Sequence, residues 1–408
     1  MEQQKILDYQ NYMAYAIAFF IPVFPVLNNL FIAGFLILGL ISLAKTYVKP
    51  RLTSVSVIML SLYALHLFGL LYTSNTERGL FDIEVKLSLM IFPIAFLGYS
   101  GTTQENYRAT LRFFLLGTLT AAAFCLLQSA YKVLILDYGY WHFLTSRFSV
   151  IVHQSYFAMY LIFALLIHAY LEWPLMRKKQ RFRTFGNIVI FLFLSIAVVL
   201  TGSKIGFIMW FFIMLGLMIA LIKTLRLKWL PIILMVIISS IIGVIFQNAP
   251  MLQERVVNMV KVAKSDEVDH DSKESTAVRS LVYSSAWEIV STQDWFGQGT
   301  GDFQDRLDEV YNKRQYTMAA EQHLNAHNLF FQTWIALGIP GLTMVIGLFS
   351  LMFYQSIKHR EYIYLGFTLL FLLISLTESA LNMRAGVIFF AFFTTLFAKK
   401  TSNAPNAH

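Results

Sequence analysis

The chain has 408 residues, of which 57% are apolar and only 13% charged, with a mean hydropathy of +0.60. A soluble domain carries about 25% charged residues, so a water-soluble globule is excluded and the chain reads as an integral membrane protein. Its single cysteine, Cys125, lies in an apolar stretch, which excludes a disulfide framework and a cysteine-based metal site.

The first apolar segment lacks the basic stretch, short apolar core and small-residue cleavage site of a removable signal, and reads as a retained span. Stretches long enough, or nearly so, to cross about 30 Å of hydrocarbon fall at 11–25, 28–44, 55–73, 87–100, 113–134, 156–173, 187–202, 205–222, 230–246, 338–357, 362–381 and 385–398. Of these, 87–100 and 385–398 are short. Gly202-Ser203-Lys204 divides two of the spans and demands a tight turn. The pattern predicts an all-α, polytopic membrane protein with about twelve transmembrane helices. Nine spans fall within residues 1–246, a large outer loop occupies 247–326, and a motif helix with spans ten to twelve occupies 327–408.

Charge sets the orientation. With the amino terminus inside, the inner loops hold 18 Lys and Arg, while the short outer segments hold 6: Arg78, Lys86, Lys132, Arg147, Lys204 and Arg384. The positive-inside rule then makes both termini cytoplasmic and the 247–326 loop external. The formal charge of +9 follows from this bias. Basic inner loops meet anionic headgroups, so no nucleic acid is implied as a partner; membrane lipids are.

The outer loop contains 8 basic and 13 acidic residues. Its first third, including Lys264–Glu274, reads as a solvated tip. Val278, Leu281, Val282, Ala286 and Ile289 recur at helical spacing and predict a helix over 277–290. A second helix is expected over 302–316, starting at Asp302. Between them, Gly297, Gly299 and Gly301 alternate. A dinucleotide fingerprint needs a βαβ context, so a tight turn allowing two helices to approach is the expected role. No metal-ligand spacing occurs, and no metal or cofactor is expected.

His327 opens the run that re-enters the membrane, where a titratable imidazole at the boundary is a place to look for chemistry. Lys86, Arg147, Lys204, Arg279 and Arg384 lie near the same predicted boundary. Each has a plain structural reading: Lys86 and Arg147 as snorkelling side chains, Lys204 as a cap, Arg279 as partner of a loop acid. Together they suggest an anionic ligand such as a lipid pyrophosphate, on which Arg makes bidentate hydrogen bonds and Lys acts as a point charge.

His327-Asn328, nine residues, Gly338, two residues and Gly341 resemble the signature of the O-antigen ligase family. Arg279 and Trp287 before the glycine turn resemble that family's loop helix. Thr201-Gly-Ser-Lys204-Ile-Gly206 resembles its turn between two spans, and Arg147 ahead of His153–Phe157 its earlier outer loop. The chain departs from the family pattern at Lys204, where Arg is usual; charge is kept and bidentate geometry is lost.

The resemblance implies a metal-independent, inverting glycosyltransferase of the GT-C type in the bacterial inner membrane. Its donor is an undecaprenyl-diphosphate-linked glycan, and in the ligase proper its acceptor is a lipid A–core sugar hydroxyl in the periplasm. His327 would be the base, Arg279 and Arg147 would hold the diphosphate with Lys204 and Lys86 as weaker candidates, and Asn328 would orient the loop or a sugar. A polysaccharide polymerase or a protein O-oligosaccharyltransferase shares the superfamily and stays open. A secondary transporter would need broken midplane spans and inverted repeats, which the sequence lacks.

Overall fold

The computed structural model describes residues 1–176, 181–224 and 275–403, with isolated positions at 236, 240, 243, 247, 253, 254 and 257. The ninth predicted span and the solvated tip of the outer loop lie outside the described residues, these isolated positions apart. So do 177–180 of the basic loop after the sixth span. Every regular element among the described residues is a helix.

The chain divides into two compact units, with the division falling between Leu38 and Gly39 and again between Ser100 and Gly101 and between Leu252 and Gln253. The first unit begins with α1 (Glu2–Val23) and α2 (Pro25–Ala44), whose last residues pass into the second unit. The break between these helices is local chemistry: Pro25 disfavours the helical conformation at Phe24, which adopts φ −149°, ψ 81°. The second unit then supplies α3 (Ser54–Gly69), α4 (Thr76–Lys86) and α5 (Ser88–Leu97), before the first resumes with α6 (Gln104–Leu134), α7 (Gln154–Met176), α8 (Arg181–Leu200) and α9 (Lys204–Thr224). The second unit ends with α10 (Ser275–Thr292), α11 (Phe303–Arg314), α12 (Thr317–Glu321), α13 (Leu329–Lys358), α14 (Tyr362–Ser375) and α15 (Arg384–Asn403).

Among the described residues, five helices are long and apolar enough to cross a membrane: Pro25–Ala44, Ser54–Tyr72, Gln104–Leu134, Gln154–Glu172 and Leu329–Lys358. Each coincides with a predicted span. The expected spans at 187–202, 205–222 and 362–381 contain shorter apolar helices, Phe185–Leu200, Lys204–Gly216 and Tyr362–Ser375. The stretch 87–100, expected to be short, is so. Its helix α5 has 10 residues, which at 1.5 Å per residue spans only about 15 Å. Its neighbour α4 is polar, so the two do not form one apolar rod.

In the first unit α6 is flanked by α1 and α7. Tyr15 stacks on Phe113 with ring centroids 5.1 Å apart and donates its hydroxyl to Asn106 Oδ1 at 2.9 Å. Phe114 meets Phe163 and Tyr160 of α7, a helix buried on nearly every face over its first three turns. An apolar helix covered all round is the expected centre of such a unit. The turn before α9 carries Gly202 at φ +61°, as the two closely spaced spans demanded.

The second unit is built around α13 and an aromatic core in which Phe367, Phe371, Phe389, Phe390 and Phe393 interlock, with Phe92 of α5 against Phe392 of α15. Helix α13 is kinked at Gly338, whose φ of 65° and ψ of −156° no L side chain adopts comfortably. Into that kink fits the glycine turn. Gln298 and Gly299 donate their N–H groups to the carbonyls of Ile335 and Ala336 at 2.8 and 2.9 Å, and Ile339 donates to Trp295 O at 3.0 Å. A Cβ on Gly338 would lie 1.9 Å from that Trp295 carbonyl oxygen. The alternating glycines thus serve the close backbone approach expected of them.

Candidate active site

Asn328 fixes where α13 begins. Its Oδ1 accepts the N–H groups of Phe330 and Phe331 at 2.9 and 3.1 Å, satisfying two of the donors a helix start leaves open. Its Nδ2 donates to Leu376 O at 3.1 Å, so the cap also holds the end of α14.

The residue before the cap is His327, held at φ +43°. Its N–H donates to Asn325 Oδ1 at 3.0 Å, and its carbonyl accepts the Tyr283 hydroxyl at 3.1 Å. Tyr283 also reaches Leu376 O at 3.1 Å. Burial pushes this phenol above its ordinary range, so it remains a donor. Gln332 Oε1 accepts Ala326 N–H at 2.9 Å, and Ser379 Oγ lies 3.3 Å from Asn325 Oδ1. The backbone of 325–328 is thereby stitched to the 376–379 segment.

That stitching brings Glu378 to His327. The buried carboxylate faces His327 Nδ1 with Oε2 at 3.3 Å, and its Oε1 accepts Arg279 Nη2 of α10 at 2.8 Å. The carboxylate therefore orients the imidazole and partly balances the guanidinium. One of the five donors of Arg279 is engaged in that bond, which leaves most of the fork for another acceptor. Half-exposed His327 and Arg279 open one side of a cluster whose floor is buried.

The structure thus brings Arg279, His327 and Asn328 together. The other predicted cations are distributed differently. Lys86 is only 2% exposed and its Nζ lies 2.5 Å from Asp82 Oδ1. A buried ammonium needs a fixed counter-charge, and Asp82 supplies it. Burial lowers the Lys86 ammonium and raises the Asp82 carboxyl, and the pairing opposes both shifts. Arg384 pairs with Glu84 at 2.5 Å. Arg147 and Lys204 belong to the first unit: Arg147 is exposed in a short 3₁₀ turn, and Lys204 is half-buried at the start of α9.

Sequence reading missed Glu378, Tyr283 and the Asn325–Gln332–Ser379 brace. One signal was present: Glu378 is the one acid inside the predicted span 362–381, and an ionisable residue there is a functional-site flag by default. Among the described residues, no group of three or more His, Cys, Asp or Glu side chains is placed to hold a metal ion.

No curated protein matches the chain. Residues 189–346, which run from α8 through α10, α11, α12 and His327 into α13, match the family model described as O-Antigen ligase. That segment encloses His327, Asn328, Gly338 and Arg279, and the match supports membership of the O-antigen ligase family.

Proposed function

We propose that the chain is a metal-independent, inverting glycosyltransferase that moves a glycan from undecaprenyl diphosphate to a lipid A–core sugar hydroxyl. The reaction lies on the periplasmic side of the bacterial inner membrane, with both termini cytoplasmic. The observation that supports this reading is the contact of His327 Nδ1 with the buried Glu378 carboxylate, which also holds Arg279.

A carboxylate facing Nδ1 favours the tautomer with its proton there, leaving Nε2 as the basic atom. In the proposed step the acceptor hydroxyl oxygen attacks the anomeric carbon as its proton passes to Nε2 of His327. The bond from that carbon to the phosphate oxygen breaks, and undecaprenyl diphosphate leaves with the electron pair. The diphosphate is already a good leaving group, so catalysis asks for a base and for donors on the developing charge. Arg279 supplies such donors while Glu378 fixes its near end. The resemblance assigns Arg147 and Lys204 to the same task, and Asn328 acts by setting the position of His327.

The test is transfer by purified protein in lipid nanodiscs with lipid-linked repeats as donor. Lipid A–core is offered in one arm, and further lipid-linked repeats alone in another. Glycosylated lipid A–core, formed equally with and without EDTA, is expected. Elongation of lipid-linked repeats alone would make the chain a polymerase. Turnover lost on chelation and restored by a divalent cation would overturn the metal-free mechanism.

A further inference from the structure

Helix α10 extends beyond Arg279. Arg279, Tyr283 and Trp287 follow at intervals of four residues, so each lies one turn further along the helix. Opposite them, the first turns of α13 present Phe331 and Trp334. Tyr283 packs on Phe331 with centroids 6.1 Å apart, and Trp287 meets Trp334 edge-to-face at 6.3 Å and 86°. An aromatic ladder therefore begins at the His327–Glu378–Arg279 cluster and leads away from it. The eight residues from Arg279 to Trp287 correspond to about 12 Å of helix, the reach of a short run of linked pyranose rings.

Trp287 closes the ladder with an uncovered ring face: it is 58% exposed. Two explanations compete for such an indole, a membrane-interface anchor and a stacking surface for a ligand. The surroundings favour the ligand. The other exposed positions described on α10 are Ser280, Ser284, Ser291 and Thr292, hydroxyl-bearing residues rather than the apolar neighbours a lipid-facing stripe carries, and exposed apolar rings recur only past the helix at Trp295 and Phe296. The adjacent carboxylate, Glu288, is bound by Arg314 at 2.6 Å and faces Lys313 at 3.8 Å, so no bare negative charge stands beside the ring. Uncovered indole, hydroxyls and a compensated carboxylate suit a saccharide, whose apolar C–H face stacks on an aromatic ring while its hydroxyls bond to polar neighbours.

We propose that Trp287, supported edge-on by Trp334, is a glycan subsite that binds the donor saccharide beyond its first sugar. This rests on the reading that the chain transfers a diphosphate-linked glycan at His327. The subsite acts on binding of long donors and does not touch the reacting atoms.

The experiment compares two donors with protein in nanodiscs: undecaprenyl diphosphate carrying one N-acetylhexosamine, and the same carrier with a complete oligosaccharide repeat. Trp287→Leu is expected to raise KM for the long donor roughly three- to ten-fold, the scale of one aromatic contact, and to leave the single-sugar donor unchanged. Trp287→Tyr, which keeps a ring, is expected to retain wild-type KM on both. Equal KM changes on the two donors, or none on either, would overturn the subsite alone. Loss in Trp287→Leu of thermal stability and of both activities together would identify the indole as a structural or membrane anchor and overturn it as well. A wild type that transfers neither donor would fail the reaction itself, and the subsite with it.

Discussion

His327, Glu378 and Arg279 form one histidine–carboxylate–cation cluster of the second unit, and His66, Asp82 and Lys86 form another of the same composition. In the first, the histidine side chain and the guanidinium are each 24% exposed and the carboxylate touches both. In the second, all three groups are sealed and the ammonium takes the carboxylate. His66 Nδ1 stands 3.6 Å from Asp82 Oδ2, and neither atom has a hydrogen-bond partner among the described residues. The same short segment serves both: Glu378 completes one cluster, and Asn382 Nδ2 reaches Asp82 Oδ1 of the other at 3.4 Å. Composition therefore does not decide which histidine can exchange protons with a substrate. What decides it is access, together with whether the carboxylate orients the imidazole or neutralises a buried lysine.

Replacing each histidine by a neutral residue breaks this comparison most directly. His327→Ala is expected to lose roughly 10²–10⁴-fold in transfer rate, the usual scale for a general base, with expression and donor binding kept. His66→Gln is expected to change transfer by no more than a few-fold while lowering the melting temperature. Rates from single-turnover assays on both variants decide the matter. Full activity in His327→Ala would remove the base assignment.

The second contrast concerns the two cations. Lys86→Met leaves Asp82 as a buried carboxylate without its counter-charge, and breaking such a pair costs about 3–5 kcal/mol. A marked drop in thermal stability is expected. The pair Asp82→Asn with Lys86→Met removes both charges and is expected to recover most of it, because two neutral groups need no mutual compensation. Transfer per folded molecule should then approach wild type. If the double variant folds well yet transfers nothing, Lys86 contacts the substrate after all and the sealed cluster is part of the machinery.

The contrast also marks what was legible in the sequence. The loop helix and the glycine turn are local devices, each written in a few adjacent residues, and the structure has both. Helix α13 was legible as two pieces, a motif helix from 327 and a span at 338–357, but their union into one helix kinked at Gly338 was not. The pairing state of the cations was not legible either. Lys86 and Asp82 are four residues apart on one helix, a spacing that on a surface makes a weak exposed pair. Only the packing of α3 and the 380–382 turn around them turns it into a sealed one. Glu378 and Arg279 are 99 residues apart. No local pattern links them, although a lone acid in an apolar stretch was a visible flag.

The mildest test separates geometry from charge. Arg279 keeps one donor on Glu378 and offers the remainder of a planar fork. In Arg279→Lys, the ammonium can satisfy Glu378 or reach a phosphate, but it cannot do both with fixed bidentate geometry. Transfer is expected to fall about ten-fold, near the lower end of the roughly 1.5–3 kcal/mol that a charge-assisted hydrogen bond is worth, because the lysine keeps the charge, while stability changes little because the ion pair is retained. Lys204→Arg at the head of α9 makes the opposite exchange and restores the residue usual in the family, so wild-type activity is expected. Steady-state kinetics on the two variants, with melting curves as control, read out the difference. If both variants keep full activity, the planar fork of Arg279 has no geometric task and the residue acts only by holding Glu378 against His327.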